Sequence, residues 1–275
     1  MTTHLIETNW LQEHLNDASL RVFDCTVFLN PGPNGYEVES GRTSWEEAHI
    51  PGSGFLDLVK ELSDPESKLG FTMPSTEQFS AAMSRHGVNG STQVILYDQT
   101  NTIWATRVWW MLRAFGFDRA AILDGGWQKW QQEARPISTA PSDYPPGNFV
   151  ATPRPELIAS KEDVLAAMNA GSTCLLNTLN TKSYQAKRIP GSKNLYYGDL
   201  LDPETHAYLP LETLRERFAQ IGTKVDDRII TYCGGGIGAS SNAFILTLLG
   251  AENVAVYDGS MSEWTADESL PVEAG

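Results

Sequence analysis

Two blocks of this chain are written twice, in the same order. HIPGSGFL, from His49 to Leu56, recurs as RIPGSKNL from Arg188 to Leu195, 139 positions further on. AAILDGGWQKW, ending at Trp130, recurs as VAVYDGSMSEW, ending at Trp264, 134 positions further on. Two matches in order at near-equal offsets mean an internal duplication, and a duplicated chain is expected to fold as two like units. The break between them falls in ARPISTAPSDYPPGNFVATPRP, where six of the 15 prolines lie between Pro136 and Pro155 and neither a helix nor a central strand is readily sustained. The expected organisation is therefore a first domain over 1–135, a linker over 136–155 and a second domain over 156–275, consistent with the size of two compact domains.

Within the second copy the pattern alternates. KEDVLAAMN reads as a helix, STCLLNT as a buried strand, LETLRERFAQIG as an amphipathic helix closed by Gly222, and DRIITYC as a short apolar strand. GGGIGASSNAFILTLLGA reads as a glycine loop entering a helix from about Ala239 and capped by Gly250, and VAVYD as a further strand. Strands alternating with helices predict an α/β fold, a mostly parallel sheet with helices on both faces, in which ligands sit beyond the carboxyl ends of the strands.

Charge narrows the partners. Twenty Lys and Arg against 34 Asp and Glu give a net charge of −14, which disfavours nucleic acid and anionic membranes while leaving room for a small anion in a locally positive cleft. No stretch approaches the ~18 apolar residues of a membrane span, and Met1 to Trp10 does not read as a signal peptide, so a cytoplasmic location is the default expectation. Three cysteines without CxxC spacing indicate neither a disulfide framework nor a metal site, and no cofactor is expected. Cys25 and Cys174 read as small apolar residues inside strands.

Cys233 is different. The strand DRIITYC delivers it to Gly234, Gly235, Gly236, Ile237, Gly238 and Ala239, a run whose backbone N–H groups can cradle a thiolate or another anion. Three readings of this loop compete: a plain strand-to-helix turn, a nucleotide fingerprint (Gly234, Gly236 and Ala239, with Asp258 about 20 residues on), and a cysteine nucleophile in an anion-binding loop. The first copy lacks the glycines, and Ala239 stands where a phosphatase would close its loop with Arg, which disfavours phosphoryl transfer and leaves sulfur chemistry.

The motifs EEAHIPGSGFLD, ATRVWWMLRAFG, ILDGGWQKW, RIPGSKN, TYCGGGIGAS and YDGSMSEW together resemble the tandem-domain rhodanese family of thiosulfate and 3-mercaptopyruvate sulfurtransferases, over essentially the whole chain. The resemblance implies two rhodanese domains, the first inactive, and an enzyme that moves sulfur from a small anionic donor through a Cys233 persulfide to cyanide or a thiol. Aligning the copies puts VILYDQTNTIWATR over IITYCGGGIGASS, so Asp98 stands where Cys233 stands and the first copy has no nucleophile; its Trp104 and Arg107 are candidates for walling the cleft, with Arg107 as an ordinary helix-surface residue the alternative.

Departures from the family concentrate on the donor. Thiosulfate-type loops resemble Cys-Arg-Lys-Gly-Val-Thr, with basic side chains that this loop lacks; Gly234 leans towards the mercaptopyruvate type, but Gly235 stands where those loops carry Ser and Gly238 where they carry Thr, and Leu179, in Asn177-Thr178-Leu179, stands where the family has a donor-binding Arg. Val59 and Phe71 occupy places of an Asp and a His that would partner the loop serine. Arg188 or Lys182 is the candidate source of the missing positive charge, the alternative being surface charges beside a Pro-Gly turn, and His49 is expected to hydrogen-bond its turn. A persulfide carrier or interaction module is the alternative to an enzyme, and a duplicated chain is compatible with a monomer.

Overall fold

The structure is a computed structural model that describes residues 4–33, 35–142, 144–170 and 172–275. It divides into two compact units. Unit 1 comprises Met1–Glu66, Met73–Pro153 and Pro203–Ala207; unit 2 comprises Ser67–Thr72, Arg154–Asp202 and Tyr208–Gly275.

Unit 1 runs β1 (Leu5–Ile6), α1 (Thr8–His14), β2 (Leu20–Asp24), β3 (Val27–Gly32), β4 (Gly35–Ser40), α2 (Arg42–Glu47) and β5 (Gly54–Phe55). It continues α3 (Thr76–Arg85), β6 (Gln93–Tyr97), α4 (Ile103–Ala114), β7 (Ala120–Leu123) and α5 (Gly126–Gln132). Its five-stranded sheet has the order β1-β7-β6-β2-β5 and every pairing is parallel. The hairpin β3–β4 stands apart as an antiparallel ribbon.

Unit 2 runs β8 (Ile158–Ala159), α6 (Lys161–Ala170), β9 (Thr173–Asn177), α7 (Thr181–Ala186) and β10 (Lys193–Asn194). It ends α8 (Leu211–Gln220), β11 (Arg228–Tyr232), α9 (Ile237–Leu248), β12 (Val254–Tyr257) and α10 (Ser260–Trp264). The sheet order β10-β9-β11-β12-β8, again all parallel, is that of unit 1 read from the other edge. The duplication thus carries the fold, with β3–β4 as an insertion in the first copy. Continuous apolar runs such as Ile229–Tyr232 are buried on both faces, as a covered parallel sheet requires.

The repeated blocks prove to be the joints of each unit. Tyr97, ending β6, and Tyr232, ending β11, each bring a phenol to the Ile-Pro-Gly-Ser box. Ile50 N donates to Tyr97 Oη at 3.4 Å and Ile189 N to Tyr232 Oη at 3.1 Å, with Ser53 and Ser192 hydroxyls on the same phenols at 2.9 and 2.6 Å. Trp130 and Trp264 are buried and donate from the indole to Pro136 O (2.7 Å) and Pro271 O (2.9 Å), pinning the segment that follows each last helix.

The proline-rich stretch connects the units, yet it lies along unit 1 as far as Pro153 rather than forming a free tether from 136. Several of its amides find acceptors there: Gly147 N and Phe149 N donate to Ser84 O (2.7 Å) and Ser84 Oγ (2.9 Å), and Thr152 N to Phe115 O (2.8 Å). Proline removes ladder donors, so this segment meets its partners one at a time.

Candidate active site

β11 ends at Tyr232 and α9 begins at Ile237, so Cys233 to Gly236 form the whole connection at the carboxyl edge of the central strand. The helix starts two residues before Ala239, because Gly236 turns the chain with φ 80°. That left-handed conformation is open to glycine at little cost and places Ile237, Gly238 and Ala239 in the first helical turn, where backbone N–H groups have no intrahelical acceptor. With the helix dipole behind them, these three amides favour negative charge.

The other side of the loop is tied to α10. Ser260 Oγ accepts from Cys233 N and Gly236 N, both at 3.1 Å, and donates to Tyr257 O at 2.7 Å. Cys233 O accepts from Met261 N at 3.1 Å, and Gly234 O from Ser262 N (2.9 Å) and Ser262 Oγ (2.7 Å). Cys233 is 4% exposed, so its thiol sits in a walled position. Ser260 holds a positive φ of 48°, and its counterpart in unit 1 is Gly126 with φ 52°. The repeat alignment of DGGW with DGSM marks this serine as the one non-glycine at a glycine position; neither it nor Ser262 was expected from the sequence.

Unit 1 shows what such a loop holds. Asp98, in the place of Cys233, turns its carboxylate onto four backbone amides: Thr100 N (2.8 Å), Thr102 N (3.1 Å), Trp104 N (3.0 Å) and Ala105 N (3.1 Å). Thr102 caps α4 with φ 68°, as Gly236 caps α9, and Trp104 and Ala105 take the places of Gly238 and Ala239 in the first turn. A built-in anion therefore fills the first cradle, whose loop is one residue longer, while the second presents a sulfur.

The glycines of the second loop divide by role. A Cβ at Gly234 would meet nothing, and one at Gly235 only Gly70 O and Ser262 Oγ, both at 3.9 Å, so these positions leave space beside Cys233 rather than serving backbone geometry. A Cβ at Gly238 would stand 2.6 Å from the Tyr197 ring, so that glycine permits close packing. Ile237 and Ala239 are buried. Gly70 belongs to the segment Ser67–Thr72, which packs with unit 2 and carries Phe71 at φ 64°.

Neither proposed cation bonds this loop among the described residues. Arg188 was expected to serve the donor; its guanidinium instead bonds Glu273 Oε1 and Gly275 O, both at 2.6 Å, and lies over the Tyr184 ring. Arg188 N and O also pair with Glu273 in a β-bridge, so the residue clips the C-terminal tail. His49, at the same place in unit 1, does likewise: it bridges Ser138, and its ring nitrogens lie 2.6 and 2.9 Å from Trp45 O and Ala140 O. Lys182 is an exposed residue in the first turn of α7, and Val59 is exposed too. Trp104 and Arg107 are buried in α4, so Arg107 is not a surface residue.

Neither remaining cysteine has a glycine cradle. Cys25 directly follows β2 rather than lying within it, and burial, reinforced by the charges of Asp24 and Asp98, pushes its thiol well above the ordinary range. Cys174, inside β9, has its sulfur 3.4 Å from the Thr223 hydroxyl.

Comparison with known proteins agrees with this geometry. The rhodanese-like domain matches twice, over residues 7–133 and 160–267. A 3-mercaptopyruvate sulfurtransferase of Escherichia coli is 32% identical over 99% of this chain and 98% of its own length. A sulfur carrier protein of Thermus thermophilus is 30% identical (98% and 96% covered), and the thiosulfate sulfurtransferase of Mus musculus 31% (94% and 91%). The solved structure of the E. coli 3-mercaptopyruvate enzyme superposes with a TM-score of 0.85 at 30% identity, covering 94% of this chain and 99% of that one. The chain belongs to the rhodanese family, as a tandem of two rhodanese domains.

Proposed function

We propose that this protein is a sulfurtransferase in which Cys233 takes one sulfur atom from a small anionic donor, holds it as a persulfide and passes it to cyanide or a thiol. The observation that carries this reading is that Cys233 takes, at the start of α9, the position from which Asp98 in unit 1 turns its carboxylate onto helix-terminal amides. With thiosulfate, the Cys233 thiolate attacks the outer sulfur, a new S–S bond forms as the bond to the sulfonate sulfur breaks, and sulfite leaves with the electron pair. The persulfide then yields its outer sulfur to cyanide, giving thiocyanate and restoring the thiolate. Charge is conserved in both steps, and the amides of Ile237, Gly238 and Ala239 supply fixed dipoles for the anionic sulfur.

Donor choice follows from proton demand. Sulfite leaves without needing a proton, whereas pyruvate formation from 3-mercaptopyruvate must deliver one to carbon. Gly235, Val59 and Phe71 offer no side chain for that delivery, which favours a donor that needs no proton, thiosulfate or a persulfide. The same bare loop supports a second reading, a sulfur carrier loaded by another protein, in line with the name of the T. thermophilus relative.

Anaerobic intact-mass measurement after incubation with thiosulfate, and separately with 3-mercaptopyruvate, tests this. The native protein should gain one sulfur atom and Cys233→Ser none. Stable loading with little turnover to thiocyanate would assign the carrier, and no gain with either donor would overturn small-donor transfer.

A further inference from the structure

The strand beside Cys233 carries a hydroxyl that the mechanism above does not use. β9 and β11 run parallel with Asn177 opposite Tyr232, so one step on, Thr178 and Cys233 leave neighbouring strand ends at the same level and on the same face. Thr178 N donates to Tyr232 O at 2.9 Å, which holds the two ends together beyond the ladder. The Thr178 side chain is fully buried, and its Oγ1 has no hydrogen-bond partner among the described residues, the sulfur of Cys233 included. It lies 3.4 Å from where a Cβ of Gly238 would stand, over the first turn of α9 where the amides converge. In unit 1 the matching residue is Cys25, and its thiol registers the charge of Asp98, the occupant of the Cys233 place.

A buried hydroxyl without an acceptor costs stability, which an anionic sulfur beside it would repay. We propose that the Thr178 hydroxyl donates a hydrogen bond to the anionic sulfur on Cys233, the thiolate before transfer and the persulfide after it. This rests on Cys233 being the sulfur-bearing nucleophile. The hydroxyl does no work beside a neutral thiol and acts only when sulfur is charged, so it raises the fraction of Cys233 present as the attacking thiolate.

The test compares wild type, Thr178→Val and Thr178→Ser in two assays. The first is alkylation of Cys233 by iodoacetamide near neutral pH, localised by peptide mass; the second is single-turnover sulfur loading from thiosulfate. Val should slow both about tenfold, the size of one lost hydrogen bond to a charged group. It should leave the half-saturating donor concentration within about twofold and the melting temperature equal or higher, because an unpartnered hydroxyl becomes a methyl of the same shape. Ser should restore both rates. Wild-type alkylation and loading in Val, or a Ser variant as slow as Val, would overturn the proposal. If wild type took up no sulfur while Val still slowed alkylation, the sulfur-transfer reading would fall and the Thr178 bond to the thiolate would stand.

Discussion

Asp24 and Asn177 occupy matching places at the ends of β2 and β9, and the difference between them is one charge. Each turns its oxygen back to the chain two residues on, Asp24 Oδ1 to Thr26 N and Asn177 Oδ1 to Leu179 N, both at 2.8 Å. Asp24 also accepts from the Thr26 hydroxyl and from Gln99 Nε2. Burial raises its pKa to about 6, and the charge of Asp98 adds to the rise. Because the folded-state pKa lies above the unfolded one, the native state binds this proton more tightly. The stabilisation from this group is complete below about pH 4 and is lost as pH rises through about 6. Asp24→Asn should keep the turn, as Asn177 does, and should gain stability over wild type at about pH 7.5 by on the order of 2 kcal/mol, the gap closing at about pH 4. Urea unfolding of both proteins at the two pH values measures it, and an equal gap at both would refute the charge argument. At this scale the sequence showed Cys233, because four glycines surround it. It did not show Thr178 or Asp24, whose roles depend on burial and on the strand alongside.

The loop, α9 and α10 form one working element held by Ser260. Its hydroxyl ties two loop amides to Tyr257 O, and its backbone sits in the left-handed region that unit 1 gives to Gly126. Ser260→Gly keeps that backbone and deletes only the tie. Stability should change by no more than about 1–2 kcal/mol, since the relieved φ offsets part of the lost bonding. Sulfur loading should fall roughly tenfold as the loop loses its fixed geometry. Ser260→Ala should load as slowly and be less stable than the Gly variant, the left-handed conformation costing about 1 kcal/mol more with a Cβ. Melting curves and single-turnover loading separate the two effects, and wild-type loading in Ser260→Gly would exclude the tie. The strand and helix pattern of this element was readable from periodicity. The helix start was displaced from Ala239 to Ile237, because a positive φ at Gly236 compresses the turn in a way that composition does not reveal.

At the scale of the whole molecule, duplication reaches down to the fastening of each unit. Trp130 and Trp264 pin the segments that leave the last helices, and His49 and Arg188 grip them further along. Arg188→Ala, alone or with Lys182→Ala, should therefore lower the melting temperature by a few degrees and leave the donor KM unchanged, as a clip and an exposed lysine would. A raised KM without a stability loss would return Arg188 to the donor. The exchange of short segments, Ser67–Thr72 to unit 2 and Pro203–Ala207 to unit 1, runs against a simple cut at the proline-rich stretch. It brings Gly70 to the edge of the Cys233 loop.

What the sequence determined by itself was whatever is local or repeated: two copies, alternating strands and helices, one cysteine in a glycine run, and an aspartate in its place in the other copy. Periodicity and backbone chemistry act over a few residues and leave their mark in order along the chain. Only the tertiary structure decided which distant groups meet that run: the hydroxyl of Ser260, 27 residues on, the hydroxyl of Thr178 on the neighbouring strand, and the C-terminal tail that takes Arg188. Those meetings are set by strand register and close packing, which bring together residues that no spacing in the sequence connects.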